Sequence, residues 1–419
     1  MKYRIPKTAT RLTAQLFVYM VASLAFSSSA LCDWPGLLGV NRDGKASEQS
    51  SLSDKISEKP KLAWELPAGQ GYAGASIAGD QVCLFDRKGR ENRVRLVELK
   101  SGKEIWSQTL PTTFFGGMDA DKGPRCVPTI TNDGVMLYDS GGEAHYLERA
   151  TGKIRWSRKL LAEYQAEEGF FGVGSTPLVV NDRVIIVVGG RKGGIVCLGI
   201  IDGKTLWSVT KEEASYASPI LLSDSQTGVA IVPTRTSVIG LAVADGKEIW
   251  KLPFGKKSQS VVAATPLRLT GNRYLLTAAY DVGNVVLDAN ETKATIIDKG
   301  EILSSQYATP VQLGDYIYGC DGREDFNNGS YKCISTKDWK VAWEEKDYPI
   351  SHSIVVGDKI LVTGVDGSLK ALRPDPKGYQ ELWKIELPQG VYRAIPAYEG
   401  STLIMKSESK WLAVDLGAL

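Results

Sequence analysis

A ten-residue phrase that returns along the chain limits what it can fold into more than any other feature. Val97-Glu-Leu-Lys-Ser-Gly-Lys-Glu-Ile-Trp106 is echoed by Leu147 to Trp156, Leu198 to Trp207 and Leu241 to Trp250. Each copy reads apolar residue, three variable residues, Ser/Thr/Asp, Gly, Lys, two residues, Trp. Weaker copies run from Leu287 to Ile296, where Ile stands in place of Trp, and from Ile334 to Trp343. A further copy, Leu372 to Trp383, is two residues longer, and Trp64 stands alone before the first. Successive Trp positions lie 42, 50, 51, 43, 46, 47 and 40 residues apart. A period of that size marks a propeller or a repeat array.

The phrase has a mechanical reading. An apolar strand end enters a turn whose Gly supplies the left-handed conformation, and the next strand carries the Trp. Between phrases a second pattern returns: Ser175-Thr-Pro-Leu178, Ala217-Ser-Pro-Ile220, Ala264-Thr-Pro-Leu267 and Ala308-Thr-Pro-Val311. Each opens a short strand, then a turn and a β-rich strand such as Arg183 to Val188. No sustained 3.6-residue period interrupts the series. Each repeat is therefore four strands, A to D, with Thr-Pro on A and Trp on D. Eight A strands begin near Tyr72, Arg125, Gly174, Tyr216, Ala263, Tyr307, Ile350 and Arg393, but only seven D strands follow them. The last repeat runs out at Leu419, and the spare Trp64 precedes the first. The ends complement each other. The expected fold is all-β: a single eight-bladed β-propeller of four-stranded antiparallel blades spanning 61–419. Strand 61–66 would complete the blade built from 391–419 and leave no open sheet edge.

The first 32 residues read as an address. Lys2, Arg4, Lys7 and Arg11 precede the apolar stretch Leu12 to Phe26 and the small residues Ser27 to Ala30. This predicts a signal peptide over 1–32, an extension over 33–60, and a secreted or periplasmic protein. A lipid anchor at Cys32 is disfavoured by Leu31, which is large for such a site. No other long apolar stretch follows, so no transmembrane segment is expected in the mature chain. Without the four leader cations the balance is 46 basic against 48 acidic residues, which excludes the clustered charge that nucleic-acid binding needs. Only His145 and His352 are present, which leaves no multi-histidine metal site.

The Thr-Gly-Lys-x-x-Trp phrase resembles the PQQ-like (pyrroloquinoline-quinone-like) β-propeller repeat. That superfamily includes quinoprotein alcohol dehydrogenases and the lipoprotein that assists outer-membrane β-barrel assembly. Asp33-Trp34-Pro35-Gly36, Asn41-Arg42-Asp43-Gly44 and Gly123-Pro124-Arg125 are similar to its secreted bacterial branch. The resemblance implies that Trp64, Trp106, Trp156, Trp207, Trp250, Trp343 and Trp383 dock neighbouring blades. It also implies that a dehydrogenase would carry a vicinal disulfide, a Ca²⁺ ion and an Asp base around the quinone. Cysteines 32, 83, 126, 197, 320 and 333 include no adjacent pair, so PQQ with Ca²⁺ is not the expected cofactor, and no cofactor or metal is predicted. Asp119-Ala-Asp121-Lys-Gly123 begins like a calcium loop but has Ile130 at the twelfth position, where a glutamate belongs. Cys320 and Cys333 flank one turn, as a cross-strand disulfide or as two thiols.

Topology chooses a face for any ligand. In such a ring the D–A and B–C loops share one end, and strand A lines the axis. One register position on strand A carries Tyr72, Arg125, Tyr216, Tyr307 and Arg393, with His352 two residues beyond its counterpart Ile350. Arg323, in the long 321–329 loop, overhangs the same end. Aromatic and cationic groups there suit a small anionic or sugar ligand, or an acidic peptide. The expected function is a non-catalytic binding scaffold that engages protein or envelope partners through this face. The alternative is a quinoprotein-like oxidoreductase or a carbohydrate-active propeller working at the channel mouth.

Overall fold

Every repeat folds into a four-stranded antiparallel sheet, and there are eight such sheets in the computed structural model. It describes Met1 and residues 34–57, 59–112, 114–222, 228–257 and 261–417; the expected signal peptide and Cys32 lie outside the described residues. Blade 1 comprises Ser76–Ala78, Gln81–Lys88, Glu91–Glu98 and Glu104–Pro111, in order from the axis outward, and blades 2 to 7 repeat that order. Blade 8 takes Ala397–Glu399, Thr402–Lys406 and Lys410–Asp415 from the C-terminal end and Lys61–Pro67 from the N-terminal end. Lys61 lies opposite Asp415 and Pro67 opposite Lys410, so the ring closes through the strand expected to close it.

Proline sets where strand A begins to pair. It offers no N–H to a ladder, and blades 3 to 6 start pairing directly after it, at Leu178, Ile220, Leu267 and Val311. Blade 7 has Ser353 at that position, and its ladder starts two residues earlier, with Ser351 opposite Gly364.

The repeated phrase encodes a contact between copies. The indole N–H of Trp106 donates to the Arg149 carbonyl of the next blade at 2.8 Å, and Trp156 and Trp207 do the same to Ile200 and Val243. The indole lies on the glycine of that next turn. A Cβ on Gly152, which has φ +73°, would sit 2.5 Å from the Trp106 ring. The Gly of each phrase thus serves its own turn and the preceding blade's Trp. Blade 8 has no C–D turn, because its two outer strands come from opposite chain ends. Ser53 supplies the missing carbonyl to Trp383 at 2.9 Å.

Blade 5 departs from the pattern. Its C–D hairpin is tight, with Ala289 opposite Ala294, so Asp298 rather than Ile296 occupies the indole's place in the ladder. Blade 6 compensates: Trp339 stands at the glycine position with φ +53° and packs on the cluster between blades 5 and 6. Apolar clusters lie between successive blades rather than within them. One joins Val94, Leu96 and Trp106 to Val135 and Leu147, and another joins blades 7, 8 and 1 through Leu361, Trp411 and Val82.

Candidate functional site

The shared register of strand A brings Tyr72, Arg125, Tyr216, Tyr307 and Arg393 to one cavity of about 280 Å³, together with Gly174 and Ala263. The eighth register position, Ile350, is buried between blades 6 and 7, and His352 lines the cavity beside it. All the larger groups but Tyr216 form a continuous arc over blades 6, 7, 8, 1 and 2; Tyr216 stands apart on blade 4, between Gly174 and Ala263. Tyr307 and His352 have ring centroids 5.7 Å apart. Tyr72 lies between two guanidinium groups, 5.3 Å from Arg125 and 5.5 Å from Arg393.

The arginines are not bare. Arg393 grips Glu324 with Nε at 2.8 Å and Nη2 at 2.7 Å, and that pairing raises its already high pKa. Glu324 also accepts the Tyr307 hydroxyl at 2.8 Å. Arg125 pairs with Asp119 at 3.5 Å and donates to the Gly123 and Asp121 carbonyls. The expected cationic ring is therefore balanced by two carboxylates from the loops above it. Burial, reinforced by Asp119, pushes the Tyr72 phenol up to about 12, so it stays protonated at neutral pH. Burial holds the His352 imidazole below its ordinary value, which keeps it neutral. Its Nε2 is 3.1 Å from the Arg393 carbonyl, and Nδ1 has no partner among the described residues.

Below this tier runs a belt of hydroxyls from the Thr-Pro and Ser-Pro positions. Thr176 Oγ1 accepts the Val127 N–H, Ser218 Oγ accepts the Thr176 N–H, and Thr309 Oγ1 accepts the Thr265 N–H, all at 2.9–3.0 Å. Each bond crosses from one blade to the next. The recurring Ser/Thr before proline is an inter-blade clamp as well as part of the cavity wall.

The cavity has a floor. Residues 34–53 run beneath the ring: Pro35 accepts the Ile130 N–H of blade 2, and Gly44 accepts the Val355 N–H of blade 7. Between them Leu37 and Leu38 pack on Val127 and Ile395. Arg42 is buried and donates to the carbonyls of Thr176 at 3.2 Å and Pro219 at 2.8 Å, and to that of Pro177. Burial lowers the Arg42 pKa to about 10, still charged at neutral pH.

Sequence reasoning missed Glu324, Asp119, Tyr280, Gln306 and the whole strap with Arg42. Glu324, Asp119 and Tyr280 sit in loops, where strand register gives no guide to position, and Gln306 directly precedes the register residue Tyr307. Arg323 is not among the residues that line the cavity: it pairs with Asp325 and lies 4.1 Å from the ring of Tyr280, which does line it, and 4.2 Å from that of Phe326. The calcium-like carboxylates are engaged by backbone, with Asp121 accepting the Gly71 and Gly123 N–H groups. Cys320 lies opposite Tyr331 and Cys333 opposite Tyr318, and both are buried free thiols.

Pyrroloquinoline quinone is a tricarboxylic acid, and the cavity does not fit it. Both lining arginines already hold carboxylates, and no cluster of three His, Cys, Asp or Glu able to hold a metal occurs among the described residues.

Comparison with known proteins places the chain. The family model described as "Outer membrane protein assembly factor BamB" matches residues 90–345. BamB of Moranella endobia (strain PCIT) is 21% identical, covering 75% of this chain and 90% of that protein. Among solved structures, BamB from Moraxella catarrhalis superposes with a TM-score of 0.63 at 17% identity, covering 85% of this chain and 97% of that one. A quinohemoprotein alcohol dehydrogenase from Pseudomonas putida HK5 gives 0.65 at 10% identity, over 93% of this chain and 81% of that one. The dehydrogenase likeness shows the fold alone. The chain belongs to the family of the outer membrane protein assembly factor BamB.

Proposed function

We propose that this family member is a non-catalytic scaffold of the cell envelope, secreted or periplasmic, that holds protein partners against the loop face around the cavity mouth. The observation that carries this reading is the set of exposed hydrophobic side chains on the loops of that end. Phe115 and Met118 in the loop from blade 1 to blade 2, and Phe326 in the B–C loop of blade 6, are 55%, 74% and 65% exposed. The rings are braced. Arg87 and Arg90 lie 5.2 and 5.3 Å from the Phe115 ring, and Arg323 backs Phe326. Aromatic groups backed by arginine are the composition of binding hot spots, and bracing lowers the ordering cost of association. The leader, with its basic start and apolar core, supports export.

A photo-crosslinking residue placed at 115 or 326 tests the reading. The control is position 201, where Ile201 is 58% exposed on a C–D turn at the other end of the ring. Both loop positions are expected to capture the same envelope protein in cells, and position 201 is not. Equal capture from both ends, or none from the loop face, would overturn the assignment.

A further inference from the structure

We propose that the axial cavity is a binding site for a neutral, hydroxyl-rich ring, a saccharide of about one pyranose unit. Size, charge, hydrogen-bonding capacity and wall chemistry each narrow the choice. At about 280 Å³ the cavity lies near the lower end of small-molecule sites, which start at roughly 300 Å³. The strap contributes Leu37 to its wall, on the side away from the loop face.

Charge separates neutral from acidic ligands. The lining holds Arg125 and Arg393 against Asp119 and Glu324, each arginine already bonded to its carboxylate. An acidic ligand would have to displace Glu324 from a two-nitrogen grip. It would then leave that carboxylate facing the ligand's own charge. A neutral ligand meets no such opposition.

Unspent hydrogen-bonding groups specify the rest. Thr176, Ser218 and Thr309 each accept a backbone N–H, so each hydroxyl keeps its own proton to donate. Thr265 lines the cavity between them and has no side-chain partner among the described residues. Buried polar atoms seldom stay unsatisfied. A ligand whose hydroxyl and ring oxygens both donate and accept would satisfy this belt of hydroxyls. Above this belt Tyr72, Tyr216, Tyr280 and Tyr307 add aromatic carbon to the cavity wall, apolar surface against which the C–H groups of a sugar can pack. This assignment concerns the cavity alone and stands or falls apart from the protein-docking role of the loops.

The test uses glucose and N-acetylglucosamine as neutral probes and galacturonate as the acidic one. Binding to the purified protein would be followed by saturation-transfer NMR and calorimetry. Wild type is expected to bind a neutral probe and to bind galacturonate at least about tenfold more weakly. Thr265→Val, which exchanges only the hydroxyl for a methyl group, is expected to weaken neutral binding about fivefold or more with an unchanged melting temperature. Should that variant fold poorly, Tyr216→Leu serves in its place. Glu324→Gln frees the Arg393 fork and is expected to bring galacturonate level with the neutral sugar or tighter. Three results would each overturn the proposal: no neutral probe bound at millimolar concentration, galacturonate preferred by wild type, or neutral affinity indifferent to both wall substitutions.

Discussion

At the scale of single residues, the phrase that repeats along the chain describes a joint. Trp106 of blade 1 lies on Gly152 of blade 2 and donates to Arg149, so the Gly and the Trp of one copy serve two different seams. Trp106→Ala should leave a cavity in a nearly buried seam and cost about 3–5 kcal/mol in urea unfolding. A loss below about 1 kcal/mol would show that the indole does not dock the blades. Asp139 offers a second residue-scale check. It accepts the Glu143 N–H and the Asn92 amide at 2.8 Å, yet burial pushes its pKa up from 3.8 to about 6. A carboxyl raised in the folded state favours folding while protonated. Its contribution is complete below about pH 4 and is lost as pH rises through 6. Relative to Asp139→Asn, which does not titrate there, wild type should lose about 2–3 kcal/mol between pH 4 and 7.5. Parallel melting curves across that range would sink the assignment.

Among the elements, the N-terminal segment does three jobs in one pass. Its strap floors the cavity, Ser53 replaces the turn that blade 8 lacks, and strand Lys61–Pro67 closes the ring. A variant lacking residues 33–66 should lose the burial of a whole strand and several kcal/mol, and a melting temperature equal to wild type would contradict closure by this strand. Arg42→Met isolates the strap from the strand. It removes donors to the Thr176 and Pro219 carbonyls beneath the cavity but leaves the strand pairing intact, so its cost should be about 1–3 kcal/mol. The closing strand was legible in the sequence because Trp64 and the truncated last repeat are matching halves of one pattern. The strap was not, because residues 34–53 carry no repeat and Arg42 acts through backbone carbonyls that any sequence would present.

For the whole molecule, what could be read depended on register. Tyr72, Arg125, Tyr216, Tyr307 and Arg393 were found together because they share a strand position; Glu324 and Asp119, which neutralise the arginines, arrive on loops whose path no periodicity encodes. The same distinction identifies the ring's weakest seam. Blade 5 meets blade 6 without the repeated joint: Asp298 stands where an indole belongs, and Trp339 takes the place of the glycine that would receive it. The outer strand Ala294–Gly300 is half-exposed or exposed along its whole length, whereas Glu104–Pro111 of blade 1 buries Trp106 and Leu110. Blades of a repeat protein hold one another mainly through nearest-neighbour interfaces, so opening should begin where the interface is poorest. Native-state hydrogen exchange should therefore give the amides of 294–300 a lower opening free energy than those of 104–111, by about 2 kcal/mol or more, the size of one lost docking contact. Because a closed ring loses neighbour support on both sides of a break, blade 6 should follow blade 5 before blades 1 to 3 exchange. Uniform protection of all eight outer strands would mean that Trp339 restores the seam completely and that the ring opens only as a whole.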